Sequence, residues 1–443
     1  MATTIDAFPA RTTVQRNWST SMNQELANKL LAGLFLMFAF RDTLTAVLRW
    51  ALALTHLSPL WFIPDLLSIG AFGYFAWHIA FRDRSPFAIL LVLNTITAAM
   101  VGYIFMSESP FALISSLKLF FPFYVGLALC GSDITQYKFV RYMMIGLMIA
   151  SIVGLIAAPY FDYPWTGAEF ENFGNSKEVG RVWWIDGVVR YGGLAGDSTM
   201  AAYMVVFPYL MLFHRIPKWL NLALWPVIYW AIHISTSRSA MLVAVCFALY
   251  YLATEILMPS LKKYDIERNL AKWSFLCVPI PFVLIAVLGG VDLSEMSSSL
   301  FSLQDRINNS WQLPFTYLSD LFPAGLFVGC GLGCFSYPMA YTDMAGYTVP
   351  VDNFYLSTYL MMGVPWLVFM VGMAIAPFRT KIRSKLVMIF ILNIYTITVQ
   401  CYGPSFATIS IGYAFSDMFL RGKPWQRRAR HSTDADADAA IAT

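Results

Sequence analysis

Three arginines in separate parts of the chain have the side-chain chemistry needed to bind an anion. They are Arg190 in VVRYGGLAGDSTMAAY, Arg238 in HISTSRSAML and Arg306 in LQDRINNSWQLPF. Arginine stays charged, and its planar set of N–H donors matches the oxygens of a phosphate or a carboxylate. Each also has a structural explanation: Arg238 could reach phosphates at the bilayer surface, whereas Arg190 and Arg306 could pair with nearby carboxylates.

The residues that follow Arg190 predict a helix that begins beside its guanidinium group. Glycines between residues 192 and 196 allow a tight turn and a close backbone approach to a ligand. Asp197 or Ser198 is suited to cap the next helix, and a helix N-terminus attracts anions through its free N–H groups. One alternative stays open, in which Arg190 is a loop residue paired with Asp186.

A carboxylate and an amide stand where the second long polar stretch returns to apolar sequence. In YTVPVDNFYLSTYLMMGVPW, Asp352 and Asn353 precede a run of apolar residues. Asp352 is suited to cap the helix there, and the same carboxylate could accept a proton from a bound hydroxyl group. Lys118, in LISSLKLFFPF, is a further unusual charge within an apolar run. Such a charge normally faces an interior cavity or a partner.

The composition indicates which elements must position these residues. Of 443 residues, 58% are hydrophobic and 13% are charged, and the mean hydropathy is +0.59. A soluble domain contains about a quarter charged residues, so this chain is predicted to be an all-α polytopic membrane protein. The composition also excludes a disordered chain, a fibrous chain and a nucleic-acid binder with a basic surface.

Runs of about 20 apolar residues predict about twelve transmembrane helices. Arg41 and Asp42 interrupt the first run, so residues 43–56 could form a separate helix at the membrane surface. The predicted spans are 27–48, 61–81, 86–105, 110–130, 142–160, 195–213, 219–235, 239–257, 273–291, 354–376, 386–402 and 405–420.

The distribution of lysine and arginine predicts which connections face the cytoplasm. These residues cluster before the first span, in alternate connections and after the last span. We expect a cytoplasmic segment over 1–26, a transmembrane domain over 27–420, and a basic, then disordered, cytoplasmic tail over 421–443. The two long polar loops, about 161–194 and 292–353, then lie on the external face. The candidate arginines would all approach that external surface.

Cysteine and histidine patterns do not indicate a metal site. The six cysteines are scattered, and neither long external loop contains a histidine. These loops also lack an Asp-x-Asp pair and a calcium-binding pattern. Cys330 and Cys334 are the two cysteines that are close in sequence, and we expect them to be small loop residues, with a disulfide between them as the open alternative. The sequence therefore predicts no metal and no cofactor.

Four segments between residues 185 and 376 resemble the Wzy/WaaL superfamily of O-antigen and exopolysaccharide polymerases and O-antigen ligases. RYGGLAGDSTMAA is similar to its Arg-x-x-Gly stretch, and STSRSAMLVA to its Ser-Arg-Gly/Ser-Ala stretch. DRINNSWQLPFTYLSDLFPAGLFVGCGLGCFSY resembles its Arg-x-x-x-x-Trp segment and the Gly-x-Gly-x-Phe loop that follows. DNFYLSTYLMMGVPWLVF resembles its His-Asn-x-x-Leu motif. Here Asp352 replaces the histidine of the ligases, which favours a polymerase of the xanthan (GumE) type.

The resemblance implies a GT-C-like glycosyltransferase that needs no metal ion. It would join undecaprenyl-diphosphate-linked oligosaccharides and polysaccharides at the periplasmic face of the bacterial inner membrane. Arg190, Arg238 and Arg306 would neutralise the leaving diphosphate, and Asp352 would be the general base. The expected substrate-binding residues are Tyr191, Asp197, Trp311, Asn353 and Tyr355. Expected partners are these lipid-linked glycans, membrane lipid, and a flippase and chain-length regulator of the same pathway, but no nucleic acid.

Two alternatives to a polymerase remain open at this point. A ligase would transfer a finished glycan to a different acceptor. A transporter of lipid-linked sugars or anionic solutes would place charges along a pathway near the bilayer centre, where Lys118 is the clearest candidate. Trp311 could stack on a sugar, or it could anchor its loop at the membrane interface.

Overall fold

A computed structural model describes residues 11–172, 175–181, 183–185, 188–258, 260, 262–291 and 301–420. About 75% of the chain is helical, so the all-α prediction is confirmed at the level of fold class. The predicted cytoplasmic tail, 421–443, lies outside the described residues, as do 1–10 of the predicted N-terminal segment and 292–300 of the second long loop.

The α-helices follow one another with short connections, except at the two long polar loops. In chain order they are α1 (Arg11–Thr43), α2 (Thr45–Leu54), α3 (Ile63–Tyr74), α4 (Pro86–Phe105), α5 (Pro110–Ala128), α6 (Lys138–Ala157), α7 (Ser198–Leu212), α8 (Lys218–Ser235), α9 (Arg238–Tyr251), α10 (Lys263–Trp273), α11 (Ile280–Leu288), α12 (Phe301–Asp305), α13 (Leu313–Leu321), α14 (Gly325–Val328), α15 (Phe354–Met362), α16 (Val364–Arg379), α17 (Arg383–Tyr395) and α18 (Ser405–Phe415). Segments of π-helix extend α3 over Phe75–Arg82 and α9 over Leu252–Leu257, and a third, Arg306–Gln312, joins α12 to α13.

Among the described residues, six helical stretches are long and apolar enough to cross a membrane, or seven if the bent α1–α2 pair is one span. They indicate a membrane-embedded protein. Other predicted spans coincide with shorter helices, such as α7 with 15 residues and α18 with 11. The full set of twelve spans and the GT-C-like class therefore stay predictions. The six stretches are Ser58–Arg82, Pro86–Phe105, Pro110–Ala128, Lys138–Ala157, Arg238–Leu257 and Lys263–Leu288.

The chain bends by 82° between α1 and α2, directly after the two charged residues that interrupt the first apolar run. Arg41 is 5% exposed and Asp42 is 3% exposed, so both side chains lie inside the bundle. The separate helix predicted within 43–56 is confirmed as α2, although its depth in a membrane stays a prediction.

The first polar loop contains two short antiparallel hairpins that sequence analysis did not predict. β1 (Glu169–Asn172) pairs with β2 (Asn175–Glu178), and β3 (Trp183–Ile185) pairs with β4 (Val188–Arg190). Strands of three or four residues are too short for a clear alternation of apolar and polar side chains. The second hairpin matters for the site because β4 ends at Arg190.

Helices α5 and α18 cross with their backbones in contact. A Cβ atom added at Gly126 would overlap the carbonyl oxygen of Ile409, and one at Gly412 would overlap that of Phe123. Small residues allow such close crossings between membrane helices. This crossing lies in the centre of the bundle, where Phe123 and Ile409 are both fully buried.

The CGLGC segment packs its backbone against two helices. The backbone N–H groups of Cys330 and Gly331 donate to carbonyls of α15, and Leu332 donates to Ala98 of α4 at 2.8 Å. Cys330 and Cys334 form a disulfide, with Cα atoms 5.9 Å apart. The prediction of two unpaired cysteines was therefore wrong. The turn formed by the intervening glycines brings the two sulfur atoms together, which residue spacing alone does not reveal.

Candidate functional site

The second polar loop places a cation beside the carboxylate that precedes α15. Arg306 begins the π-helical segment Arg306–Gln312, and its Nε atom lies 3.7 Å from an Asp352 carboxylate oxygen. This separation makes an ion pair, although it is too long for a hydrogen bond. The side chains are 30% and 43% exposed, so the pair borders a region open to solvent.

Asn353, and not Asp352, caps α15. The side-chain oxygen of Asn353 accepts from the N–H group of Leu356 at 2.7 Å, and its amide donates to the carbonyl of Ile397 at 2.9 Å. The prediction that Asp352 caps this helix is therefore wrong. Because the neighbouring amide satisfies the helix terminus, the Asp352 carboxylate remains available for other chemistry.

Residues 396–400 connect the start of α15 to the start of α9. Ile397 accepts the hydrogen bond from Asn353, and the hydroxyl of Thr398 lies 2.5 Å from that of Ser239. Arg238, an exposed residue, immediately precedes Ser239, just as Asp352 immediately precedes Asn353. The segment therefore holds the chain positions of Arg238 and Asp352 on the same side of the bundle. Sequence analysis missed it because it assigned these residues to the end of a span.

Arg190 reaches the site from the end of the second hairpin. The pairing of β3 with β4 sets it opposite Trp183, and the glycine turn then leads into α7. Gly196 has a φ of +76°, and a Cβ atom there would lie 2.5 Å from the carbonyl oxygen of Val179. A side chain at this position would be strained and would clash, so glycine is required. Asp186 lies outside the described residues.

The predicted cap of α7 is confirmed as Asp197. One of its carboxylate oxygens accepts from the N–H groups of Thr199 at 2.9 Å and Met200 at 3.0 Å. Asp197 also interacts electrostatically with Arg190. Asp197 therefore contacts the N-terminus of α7 and also interacts with the guanidinium group of Arg190.

Arg190 interacts electrostatically with both of the other candidate arginines and with both carboxylates. Burial lowers the pKa of Arg190; Asp197 opposes this shift, Arg306 and Arg238 add to it, and Asp352 opposes it. Such interactions require proximity, since charges separated by much more than about 10 Å are screened. Arg190 is therefore within interaction range of Arg238 and Arg306, which come from two other segments of the chain.

Several polar atoms in this region have no hydrogen-bond partner among the described residues. They are the Nε atoms of Arg190 and Arg306 and the hydroxyl of Thr236, which precedes Arg238 by two positions. All three are buried, and a buried donor without a partner costs about 1–3 kcal/mol. An anion with several acceptor oxygens would satisfy these donors.

The Asp352 carboxyl group has a perturbed pKa. Burial raises its pKa above the ordinary value for aspartate, and the neighbouring Arg306 opposes that shift. A carboxylate with a raised pKa is a stronger base than a solvated one. Its ion pair also fixes its direction, which a proton acceptor requires.

Three of the predicted substrate-binding residues occupy packed positions. Trp311 and Tyr355 are each 1% exposed, and the Tyr355 hydroxyl donates to the side-chain oxygen of Asn393 at 2.5 Å. Asn353 is fully buried, and its cap and its bond to the 396–400 segment use both ends of its amide. All three side chains therefore belong to the packed interior. Tyr191, which follows Arg190, is half-buried.

Within the described part of the chain, no group of three or more His, Cys, Asp or Glu side chains could hold a metal ion. The positive charge in the candidate site comes from arginine.

Comparison with known proteins gives no match to any family model, curated protein or solved structure.

Proposed function

We propose that this protein is a polysaccharide polymerase, a glycosyltransferase that joins undecaprenyl-diphosphate-linked repeat units at the periplasmic face of the bacterial inner membrane. One observation carries the proposal: Arg190 interacts electrostatically with Arg238, Arg306 and Asp352, and Arg306 pairs with Asp352, in a protein with several helices long and apolar enough to span a membrane. This arrangement offers positive charge for a diphosphate and a base for a hydroxyl group. The four segments that resemble the Wzy/WaaL superfamily contain these same residues.

In the proposed reaction, a sugar hydroxyl of one lipid-linked repeat unit attacks the anomeric carbon of the lipid-linked chain. The new glycosidic bond forms as the bond to the diphosphate breaks, and undecaprenyl diphosphate leaves with the bonding electrons. Negative charge therefore grows on the diphosphate in the transition state. Arg190, Arg238 and Arg306 stabilise that charge, and stabilisation that increases in the transition state lowers the barrier.

Asp352 takes the proton that the attacking hydroxyl loses. Its raised pKa favours proton transfer from a weak acid, and Arg306 keeps the carboxylate ionised and oriented. Tyr191 and Asp197 border the arginines and are the remaining candidates for contacts with the bound substrate. The unpaired Nε atoms of Arg190 and Arg306 supply donors for the phosphate oxygens.

The disulfide between Cys330 and Cys334 supports a periplasmic site. Disulfides persist in the bacterial periplasm and are rare in the cytoplasm. The bridge lies in the polar loop that also carries Arg306 and Asp352. Lipid-linked sugars are available at that face once a flippase has moved them across the membrane, and a chain-length regulator would act on the product there.

A deletion strain tests the function in the cell. Loss of a polymerase leaves single repeat units on the lipid, whereas loss of a ligase leaves long polymer that is not attached to its final acceptor. We expect single lipid-linked units to accumulate, and we expect complementation by the wild-type chain but not by Arg190→Ala or Arg238→Ala. Accumulation of long lipid-linked polymer would show that the protein is a ligase.

A further inference from the structure

A second group of charged residues lies at the bend between α1 and α2. It contains three cations and two carboxylates: Arg41, Arg49, Lys118, Asp42 and Asp65. Lys118 interacts electrostatically with all four of the others, and Arg49 interacts with Arg41 and both carboxylates. The group is distinct from the arginines around Arg190, since it is built from α1, α2, α3 and α5.

Both carboxylates in this group have partners, although the second oxygen of Asp65 is buried without one. Asp65 accepts from a terminal nitrogen of Arg41 at 2.8 Å, in a pair whose side chains are less than a tenth exposed. Asp42 accepts from the backbone N–H group of Phe406 at 2.7 Å and from the hydroxyl of Tyr203 at 3.1 Å. These contacts fix α1 to α3, α7 and α18, and Asp65 neutralises Arg41.

Arg49 and Lys118 have no such partner. The Arg49 guanidinium lies 4.2 Å from the ring centre of Trp61 and 3.9 Å from that of Phe170, and the Lys118 ammonium lies 4.8 Å from that of Phe62. Within the described ranges, neither cation has a hydrogen bond or an ion pair. Trp61 and Phe62 are adjacent in one turn of 3₁₀-helix, so they hold the two cations on neighbouring faces.

The charge balance of the group calls for an anion. Three cations face two carboxylates, which leaves one net positive charge, and the close ion pair of Asp65 is with Arg41. Two half-buried cations that lack an ion pair are costly in a membrane protein. Aromatic rings attract cations only weakly compared with a phosphate. A phosphate-bearing ligand would therefore supply the negative charge with which Arg49 and Lys118 could pair.

Residues of both polar loops interact with this group. Phe170, which covers Arg49, belongs to β1 of the first polar loop, and Tyr341 of the second loop interacts electrostatically with Arg49. The N–H group of Ala46, in α2, donates to the carbonyl of Leu194 at 3.1 Å. Leu194 lies in the turn that follows Arg190, so α2 links the two groups of cations directly.

We propose that Arg49 and Lys118 form a second anion site, which binds the diphosphate of the acceptor substrate. The inference rests on the proposed function, in which two lipid-linked molecules must be held on one face at the same time. The arginines around Arg190 take the diphosphate that leaves, because they lie beside the base Asp352. The diphosphate of the acceptor stays attached to its sugar throughout the reaction. It therefore needs a site that binds it but does not stabilise a leaving group.

Equilibrium binding of undecaprenyl diphosphate to the purified chain in nanodiscs tests this site without requiring turnover. We expect two equivalents to bind to the wild type. Arg49→Gln and Lys118→Gln should each weaken one equivalent by about 10- to 100-fold, since each removes a charged contact, and Arg238→Gln should weaken the other. Lys118→Arg, which keeps the charge, should retain both equivalents, and Arg141→Gln, at the opposite predicted face, should change neither.

Three results would overturn the site. One is the retention of two equivalents in both Arg49→Gln and Lys118→Gln. Another is displacement of the second equivalent by phosphatidylglycerol, which would assign the site to bulk phospholipid. The third is its displacement by inorganic diphosphate at an equal concentration, which would assign it to a soluble anion.

The results that would contradict the second anion site differ from those that would contradict the proposed function. If the reconstituted protein forms polymer and both Gln variants still bind two equivalents, the function stands and the second site does not. If two equivalents bind, and Arg49 and Lys118 control one of them, but no polymer forms, the site stands and the function fails. In an active enzyme, Lys118→Gln should also raise the KM for the lipid-linked acceptor far more than it lowers kcat.

Discussion

Arg238 is the residue whose replacement gives the clearest readout of the anion site. It is exposed at the start of α9, so its removal should leave folding intact. Arg238→Ala should slow chain extension by about 100- to 1000-fold, the usual cost of losing one donor to a developing anion. Arg238→Lys should recover only part of that rate, because an ammonium group cannot form two parallel bonds.

The measurement for Arg238 is the rate of chain extension per mole of protein in isolated membranes. Arg141→Ala is the matched control, since it removes an arginine from the opposite predicted face. It should extend chains at nearly the wild-type rate. Normal extension by Arg238→Ala would remove this residue from the proposed site.

Asp352 and Arg306 together predict a specific pH dependence. A general base works in its ionised form, so chain extension should increase as the pH rises through the pKa of Asp352, which burial raises. Arg306 lowers that pKa, and Arg306→Ala should therefore move the acidic limb of the profile to higher pH. Arg306→Lys keeps the charge and should move it less. The profile of kcat/KM against pH checks this, and an acidic limb that moves to lower pH in Arg306→Ala would contradict the assignment.

At this scale the sequence identified candidate residues by type, whereas their contacts came from the structure. The three arginines were singled out by type and by predicted membrane side, and their proximity depends on a fold that sequence alone does not give. Asp352 and Asn353 are both good capping residues, so propensity alone could not decide which of them caps α15. The carbonyl of Ile397, 44 residues further along the chain, holds the Asn353 amide and thereby selects it as the cap.

Among the structural elements, the CGLGC turn is the most sensitive to substitution. Gly331 has a φ of +90°, and a Cβ atom there would overlap the backbone of Gly102. Gly331→Ala should destabilise the protein by about 2–4 kcal/mol, from backbone strain together with overpacking. Gly346→Ala is the matched control, because a Cβ atom there meets nothing within 4 Å. Thermal unfolding in detergent measures both variants, and equal stability would contradict the packing.

The disulfide in this turn makes a separate chemical prediction. Of the six cysteines, Cys330 and Cys334 are bonded and four are free. Alkylation of the denatured protein without a reductant should therefore modify four cysteines, and six after reduction. Intact-mass spectrometry counts the additions, with Cys334→Ser as a control that should give five in both conditions. Six additions without reduction would rule out the bond.

The long helices were well predicted, and the short elements were not. Apolar runs of about 20 residues gave helices such as α4 and α6 nearly at their predicted bounds, because length and hydropathy suffice there. The predicted span 354–376 is instead divided at Gly363, where φ is +68°. Each strand of the β3–β4 hairpin, which carries Arg190, has only three residues. That is too few for an alternation of apolar and polar side chains to be detected.

For the whole molecule, the arrangement of charge is the main organising feature. Most cations follow the predicted cytoplasmic connections, and six of those that do not fall into two groups, one around Arg190 and one that contains Arg49 and Lys118. Both groups lie beside the polar loops that the sequence predicts to be external. A protein that holds two lipid-linked diphosphates on one face would need this distribution.

Release of undecaprenyl diphosphate by the purified protein is the most direct test of the central claim. Liposomes would contain the protein, a lipid-linked repeat unit and a metal chelator, and both polymer and free lipid diphosphate would be quantified. We predict a ladder of polymer with one undecaprenyl diphosphate released per linkage by the wild type, and almost none by Arg190→Ala or Arg238→Ala. Absence of linkages with folded wild-type protein, or equal release by both arginine variants, would contradict the account.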